Sequence, residues 1–390
     1  MLNMNQKIAL SYVIRKRYQR SSKKEKGRIL DEFIKNTGYN RSYSRRILGS
    51  LKKQGRKKKH IVRKRIYDAK VFYALRTIWI AEDNICGQRL KPFIPDVLRK
   101  LEEFKEIKIN KEIRKKILSI GSATIDRMLK ATKKSYELKG RSTTKPGTLL
   151  RSTIPIRTFA DWDEKRPGFF EGDLVAFCGE TVRGDYVNAL NLTDVFVAWI
   201  LLEAVMGKSQ YRVHKAIDQM RNRLPYNMLG LDNDNGTEFI NWILKRYCED
   251  NKITFTRIRP YRKNDNCFVE QKNYTVPRRF LGYARYDTEE ELVIIKEILK
   301  LVEVYVNFFM PSKKLLSKER IGNKTKKIYD TAKTPYQRLV LSGILKTDQK
   351  SRLQSVYDSL NPMDLRRKIH RLTEKLNKTF RYKINDLTNT

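Results

Sequence analysis

A chain of 390 residues exceeds what one compact core normally accommodates, so two to four modules are expected. Its 84 Lys and Arg against 43 Asp and Glu leave a formal charge of +41, which repels itself in a compact state unless a polyanion neutralises it. Four scattered cysteines with no CxxC pair and only three histidines argue against a disulfide framework and exclude a local zinc module.

The first segment reads as helical. Ser22-Lys-Lys-Glu25 is a capping-box pattern, followed by Ile29, Leu30, Phe33 and Ile34 at helical spacing. Gly38 breaks that helix, and Asn40 or Ser42 caps a second one that turns Ile47, Leu48 and Leu51 inward. Arg41, Tyr43, Arg45 and Arg46 are then left outward. Helix, glycine turn and basic helix is the outline of a helix-turn-helix, although any helical hairpin shares it. Nine Lys or Arg and no acid lie between Lys52 and Arg65, which suits phosphate tracking better than a merely solvated linker. Residues 1–66 are taken as the first DNA-binding region. Nucleic acid is preferred as the polyanion because a ribosomal protein would usually be shorter and poorer in apolar periodic segments.

Residues 67–139 are predicted as a second helical region. Val71, Leu75, Ile78 and Trp79 mark one helix, and Val97, Leu98 and Leu101 the next. A further pair spans Glu112 to Lys134, with Ser122 as N-cap of a helix presenting Thr124, Arg127 and Lys130. A second helix-turn-helix and a three-helix structural bundle both fit. Residues 140–167, rich in Gly, Pro, Ser, Thr and Arg, are expected to be a linker.

From Gly168 the pattern changes to strands. Residues 172–179, 184–192 and 195–205 are three apolar-rich runs, followed by a helix carrying Tyr211, Val213, Ala216, Ile217 and Met220. A short strand then ends at Asp234, a helix carries Phe239, Ile240, Ile243 and Leu244, a strand covers Ile253 to Ile258, and a helix surrounds Glu270. Three strands followed by alternating helix and strand predict an α/β core, a mixed sheet with helices on its faces, over 168–310. Leu301 to Met310 is the longest apolar run, but Glu303 and Asn307 interrupt it and Pro311 stops it, so no membrane span is expected. No basic start leads into a long apolar core near the N-terminus, so no secretory signal is expected either. Residues 311–390 read as a basic, mainly helical C-terminal region. There, Asn361-Pro362 caps a helix whose stripe of Leu365, Ile369, Leu372 and Leu376 suits an oligomer contact or a local core.

Asp173, Asp234 and Glu270 stand at the ends of the core's predicted elements, with 35 residues between the last two. Carboxylates so placed can converge and hold two divalent cations. Asp232 competes with Asp234, and Glu171 with Asp173. Asp234 is preferred for the glycine two residues on and the capping Thr237, and Asp173 for the apolar run directly after it. Asp194 reads as a turn residue and Glu238 as a helix-start charge.

The strings Glu171-Gly-Asp-Leu-Val-Ala-Phe-Cys-Gly179, Leu231-Asp-Asn-Asp-Asn-Gly-Thr-Glu-Phe239 and Asn264-Asp-Asn-Cys-Phe-Val-Glu270 resemble the catalytic core shared by retroviral integrases and bacterial insertion-sequence transposases. The Asp-Asn-Gly-x-Glu-Phe run and the 35-residue gap carry the resemblance over about 168 to 310. The tail, with Asn307-Phe-Phe-Met-Pro-Ser-Lys313, is also similar to that of transposases. The scarcity of histidine fits a helix-turn-helix front end better than a zinc-binding one. The resemblance implies a ribonuclease H-like fold and a polynucleotidyl transferase of transposase type. Asp173, Asp234 and Glu270 would be its catalytic and metal-binding carboxylates. Hard oxygen ligands imply two Mg²⁺ or Mn²⁺ ions. Cleavage would expose a 3′-OH at a transposon end, and strand transfer into target DNA would follow. Implied partners are double-stranded DNA, both terminal inverted repeats and target, and further copies of the chain. A bacterial, cytoplasmic and nucleoid-associated location follows, with no membrane partner. Lys263, Lys272 and Asn273, with Arg41, Arg45, Arg46 and Arg127, are the expected DNA contacts, and ordinary solvated charge is the competing account of each basic one. One departure stands in the loop before the glutamate, where Cys267 replaces a frequent glycine. The alternative function is a transposase-derived, sequence-specific DNA-binding protein that no longer cleaves.

Overall fold

The computed structural model of the protein describes residues 2–49, 66–134, 156–157, 166–234, 236–258, 267–321 and 324–389. The basic segment 52–65, most of the expected linker, Asn235, Arg262, Lys263 and Asn266 lie outside these residues, as does the side chain of Cys267. The chain divides into two compact units, Met1–Ile66 and Tyr67–Thr390.

The first unit holds α1 (Met4–Arg20), α2 (Lys23–Thr37) and α3 (Arg41–Gly49). The Ser22–Glu25 capping box forms at α2, and Gly38 ends that helix in the left-handed region at φ 68°, where a side chain is disfavoured. Asn40 Oδ1 then accepts the Tyr43 amide at 2.8 Å to start α3. Tyr18, Ile29, Leu30, Phe33 and Leu48 form a small core of their own.

The second unit opens with α4 (Ala69–Ala81), α5 (Gly87–Glu103), α6 (Lys111–Ser119) and α7 (Ser122–Lys134). Ser122 is the first residue of α7, not its N-cap. The Gly121 carbonyl already accepts the Ile125 amide at 3.0 Å, so the helical hydrogen-bond ladder starts one residue earlier. Val71, Leu75, Ile78, Trp79, Val97, Leu98 and Leu101 are all buried, as their spacing predicts.

The sheet strands are β1 (Ile156–Arg157), β2 (Phe169–Ala176), β3 (Val187–Asp194) and β4 (Ile200–Met206), then β5 (Gly230–Asn233) and β6 (Thr254–Ile258) after helices α8 (Gln210–Asn222) and α9 (Trp242–Asp250) respectively. Their order is β1-β6-β5-β2-β3-β4. The β2, β3 and β4 strands form an antiparallel meander, and β5, β6 and β1 add in parallel, so this is the expected mixed sheet with helices. The edge strand β1 comes from the stretch expected to be linker. Residues 195–198 form a turn rather than strand, and Phe239 and Ile240 precede α9, whose N-cap is Asn241. Asp194 is more than a turn residue. Buried, it accepts the amides of Gly168, Phe196 and Val197 at 2.7–2.8 Å and the Tyr226 hydroxyl at 3.0 Å, fixing the start of β2.

Past β6 come α10 (Cys267–Asn273), a π-helical turn (Tyr274–Arg278), α11 (Arg279–Leu281) and the long α12 (Glu289–Phe309). The two residues that interrupt α12's apolar run close the β4 edge of the sheet. Asn307 accepts the Ile200 amide at 2.9 Å and donates to the Ile200 carbonyl at 2.8 Å, and Glu303 accepts the Leu202 amide at 2.7 Å. An open strand edge is thereby satisfied by side chains. Among the described residues no helix is long and apolar enough to cross a membrane.

The C-terminal part adds a two-stranded hairpin that sequence periodicity missed, β7 (Leu315–Ile321) with β8 (Lys324–Tyr329), then α13 (Pro335–Leu341), α14 (Thr347–Ser359) and α15 (Pro362–Asn389). Leu365, Ile369 and Leu376 of α15 are buried in the same core as α4, α5 and α12, so that stripe is spent within the chain and is not an oligomer contact.

Replacing Asn307 by Leu removes both partners of Ile200 while keeping the volume roughly constant. A loss of about 1–3 kcal/mol per orphaned backbone group is expected, read as a lower urea midpoint in chemical denaturation.

Candidate active site

Period-two alternation places Glu171 and Asp173 on one face of β2, with Gly172 on the other. In the parallel β2–β5 register Glu171 lies opposite Asp232 and Gly172 opposite Asn233. Asp234, one residue past β5, therefore falls beside Asp173 on the same face. The strands approach closely here because Gly172 has no side chain. A Cβ at that position would lie 2.1 Å from Asn233 Oδ1.

Asp173 is half-buried and held from two sides. Its Oδ1 accepts the Leu174 amide at 2.8 Å, and its Oδ2 accepts the Asn273 side-chain amide at 2.6 Å. Asn273 Oδ1 in turn accepts from Asn191 Nδ2 at 2.8 Å, and Asn191 is buried on β3 directly opposite Asp173. Burial first, then the nearby Asp234 carboxyl, pushes the Asp173 pKa up to about 8, with Glu270 adding to the shift. Asp234 Oδ1 accepts the Gly236 amide at 3.0 Å. Burial and then Glu238 raise its pKa to about 6, against Lys208, which forms an ion pair with Glu238 at 3.8 Å. Two neighbouring carboxyls whose charge is costly here are a ready pair of hard oxygen ligands for a divalent cation.

Glu270 lies on α10 close enough to raise both Asp173 and Glu171, but it is solvent-exposed. Among the described residues no three His, Cys, Asp or Glu side chains are grouped to hold a metal ion. The structure thus sets Asp173 and Asp234 together, with Glu270 solvent-exposed and within electrostatic reach of Asp173. Glu270 sits one helical turn before Asn273, the residue through which α10 meets Asp173.

Glu171, weighed only as a rival to Asp173, has a separate position. It is fully buried, and its Oε2 accepts the Phe268 and Val269 amides at 2.8 and 2.9 Å, at the amino end of the helix that carries Glu270. Asp232 is buried as well and accepts the Thr256 hydroxyl at 2.6 Å. Burial holds the Glu171 carboxyl well above its ordinary range, with Asp232 adding to the shift. Asn191 and the Glu171 bond to α10 were not recognised in the sequence. The available signal was polar residues at positions of otherwise apolar strands, Asn191 in Ala189-Leu-Asn-Leu192.

Of the expected DNA contacts on α10, Asn273 is turned inward, where its side chain bonds Asp173 and Asn191. Lys272 is half-buried, and burial with the cations Arg89 and Arg338 pushes its amine down to about 7. Arg45 and Arg127 are exposed. Arg41, also exposed, is paired with Asp31, and Arg46 lies 5.1 Å from the centre of the Tyr43 ring.

Both carboxyls of the pair titrate above their unfolded values, so without divalent cations the native state keeps protons that the unfolded chain has lost. For Asp173 that contribution to stability is full below about pH 4 and is lost as pH rises to about 8. Asp173→Asn is expected to gain stability relative to wild type between pH 5 and 8, as seen in metal-free denaturation curves. Glu171→Ala, by removing the acceptor at the start of α10, is expected to accelerate amide exchange at Phe268 and Val269 about tenfold or more. Glu171→Gln keeps an acceptor oxygen and should show the smaller change.

No protein-family model matches the sequence. The catalytic core domain of BIV integrase, known from a crystal structure, aligns over 45% of this chain and 95% of its own at 19% identity, with a TM-score of 0.31. The uncharacterized protein y4rM of Sinorhizobium fredii is 34% identical over 338 residues, covering 86% of this chain and 96% of the relative. At that identity and coverage, the chain belongs to the same family as y4rM.

Proposed function

We propose that the chain is a metal-dependent polynucleotidyl transferase of the transposase type, acting on double-stranded DNA. The observation that carries this reading is the Asp173–Asp234 pair, half-buried side by side where β2 and β5 run parallel. The basic balance of the chain supports a polyanionic substrate. Asp173 and Asp234 would hold Mg²⁺ or Mn²⁺, with Glu270 as the further carboxylate of a two-ion site. Bound there, the ions supply charge relief on the scissile phosphate and an activated water or 3′-OH. Asn273, steadied by Asn191, orients the Asp173 carboxylate. Glu171 restrains the helix that delivers Glu270. The exposed Arg45 on α3 and Arg127 on α7, with Arg41, Arg46 and the segment carrying Lys263, are assigned to DNA phosphates, which position the duplex without reading its sequence. Lys272 and Asn273 are no longer assigned to DNA. The reaction assigned is hydrolytic nicking at a transposon end, followed by attack of the freed 3′-OH on target DNA, in an assembly of more than one copy.

A second reading, a DNA-binding protein without cleavage, draws on the exposed position of Glu270 outside the pair. One experiment separates the two: Mg²⁺-dependent nicking and strand transfer on DNA carrying the element's own ends. Asp173→Asn, Asp234→Asn and Glu270→Gln are each expected to lower activity more than about a hundredfold, beyond the usual cost of losing a ligand's supporting partner, with DNA binding retained. Binding without cleavage by wild type under Mg²⁺ or Mn²⁺ would establish the second reading.

A further inference from the structure

We infer that the β7–β8 hairpin is a DNA-binding arm that lies in the major groove of duplex DNA. The inference rests on the reading of the chain as a DNA-processing protein and assigns a surface which that reading does not use.

The hairpin is a two-stranded sheet of its own. All its described side chains, 315–320 and 325–329, are exposed. Such a ribbon is marginal in water unless something packs on it. Its root, by contrast, is firmly tied. Asp330 accepts the Lys314 amide at 2.7 Å and pairs with Arg338 at 2.6 Å, Ser312 and Lys333 exchange backbone bonds at 2.9 and 3.1 Å, and the Lys314 amine donates to the Val195 carbonyl at 3.0 Å. A clamped root with exposed strands suits an arm that meets a partner.

The register identifies the partner's charge. Lys318 lies directly opposite Lys327, and Arg320 opposite Thr325, so one face carries Lys318, Arg320 and Lys327 with no acid among its described side chains. Glu319 lies on the other face, opposite Lys326. Like charges directly across a ladder destabilise it. An anion on that face removes the repulsion between Lys318 and Lys327, and the spacing of cations two residues apart, about 7 Å along a strand, matches a repeating anion. A two-stranded ribbon fits the major groove of B-DNA, about 12 Å wide, with phosphates along both rims. The deep, narrow major groove of A-form RNA does not admit it.

The test uses the full chain carrying Lys318→Gln, Arg320→Gln and Lys327→Gln together. The control carries Lys346→Gln, Lys350→Gln and Arg352→Gln, which remove three exposed cations from the start of α14 and its approach. Binding to a duplex DNA, a duplex RNA of the same sequence and anionic phosphatidylserine vesicles is measured against salt. The arm variant is expected to lose about 2.7 from the slope of log affinity against log salt for duplex DNA, and about a hundredfold in affinity near 0.1 M salt. The control should lose far less. The arm variant's melting temperature should equal or exceed that of wild type, since a like-charge pair is removed; a lower one would mean a structural role and overturn the inference. Equal DNA losses in arm and control variants, an equal loss on duplex RNA, or a loss confined to vesicles would each overturn it. A wild-type chain that binds no duplex DNA would instead overturn the underlying reading together with the arm.

Discussion

The parallel contact of β2 with β5 is the constraint on which the candidate site depends. It brings Gly172 against Asn233 with no room for a Cβ and sets Asp173 beside the end of β5. Everything chemical about the region follows from that closeness. Two carboxyls enter a partly desolvated space together, and the Asp234 carboxyl opposes the ionisation of Asp173. A sheet with β2 and β5 separated by another strand would carry the same residues and no pair.

The cost of that arrangement is met by hydrogen bonds from neighbouring elements. Asn191 on β3 steadies Asn273 on α10, which bonds Asp173, so three elements meet at one carboxylate. Glu171 anchors the start of α10 through two backbone amides. The helix is thus attached at both ends to residues of the meander, which is why its register determines where Glu270 lies. Edge protection follows the same logic at the far side of the sheet, where Asn307 and Glu303 of α12 serve the β4 backbone. Arg223 joins Glu203 of β4 at 2.9 Å to Glu303 of α12 at 3.1 Å, compensating the buried charges there.

Helices from both ends of the second unit complete its core. Trp79, Leu98, Tyr305, Leu339, Leu365 and Leu376 belong to one continuous hydrophobic cluster with the sheet. The C-terminal helix is further tied by Lys383, which meets Glu291 at 2.7 Å and Asp287 at 2.9 Å.

The amino-acid sequence by itself determined much of the local structure. Ser22, Gly38 and Asn361 act where their capping chemistry directs, because caps depend on residues within a few positions of one another. The order of strands and helices through 168–273 was legible for the same reason, in apolar periodicity, and so was Asp234 as a residue at a strand end. Asp173, by contrast, stands in the middle of β2, which begins at Phe169 rather than at the expected 172. Only the tertiary structure decided what depends on distant partners. The β7–β8 hairpin lacked a signal because its strands bury no face and so show no alternation of apolar and polar residues. Ile156–Arg157 is too short to read as a strand without β6 beside it. Glu303 and Asn307 read as interruptions of an apolar run until the β4 edge supplied their partners. The inward turn of Asn273 was likewise set by its distant partners Asp173 and Asn191, which spacing along the chain does not reveal.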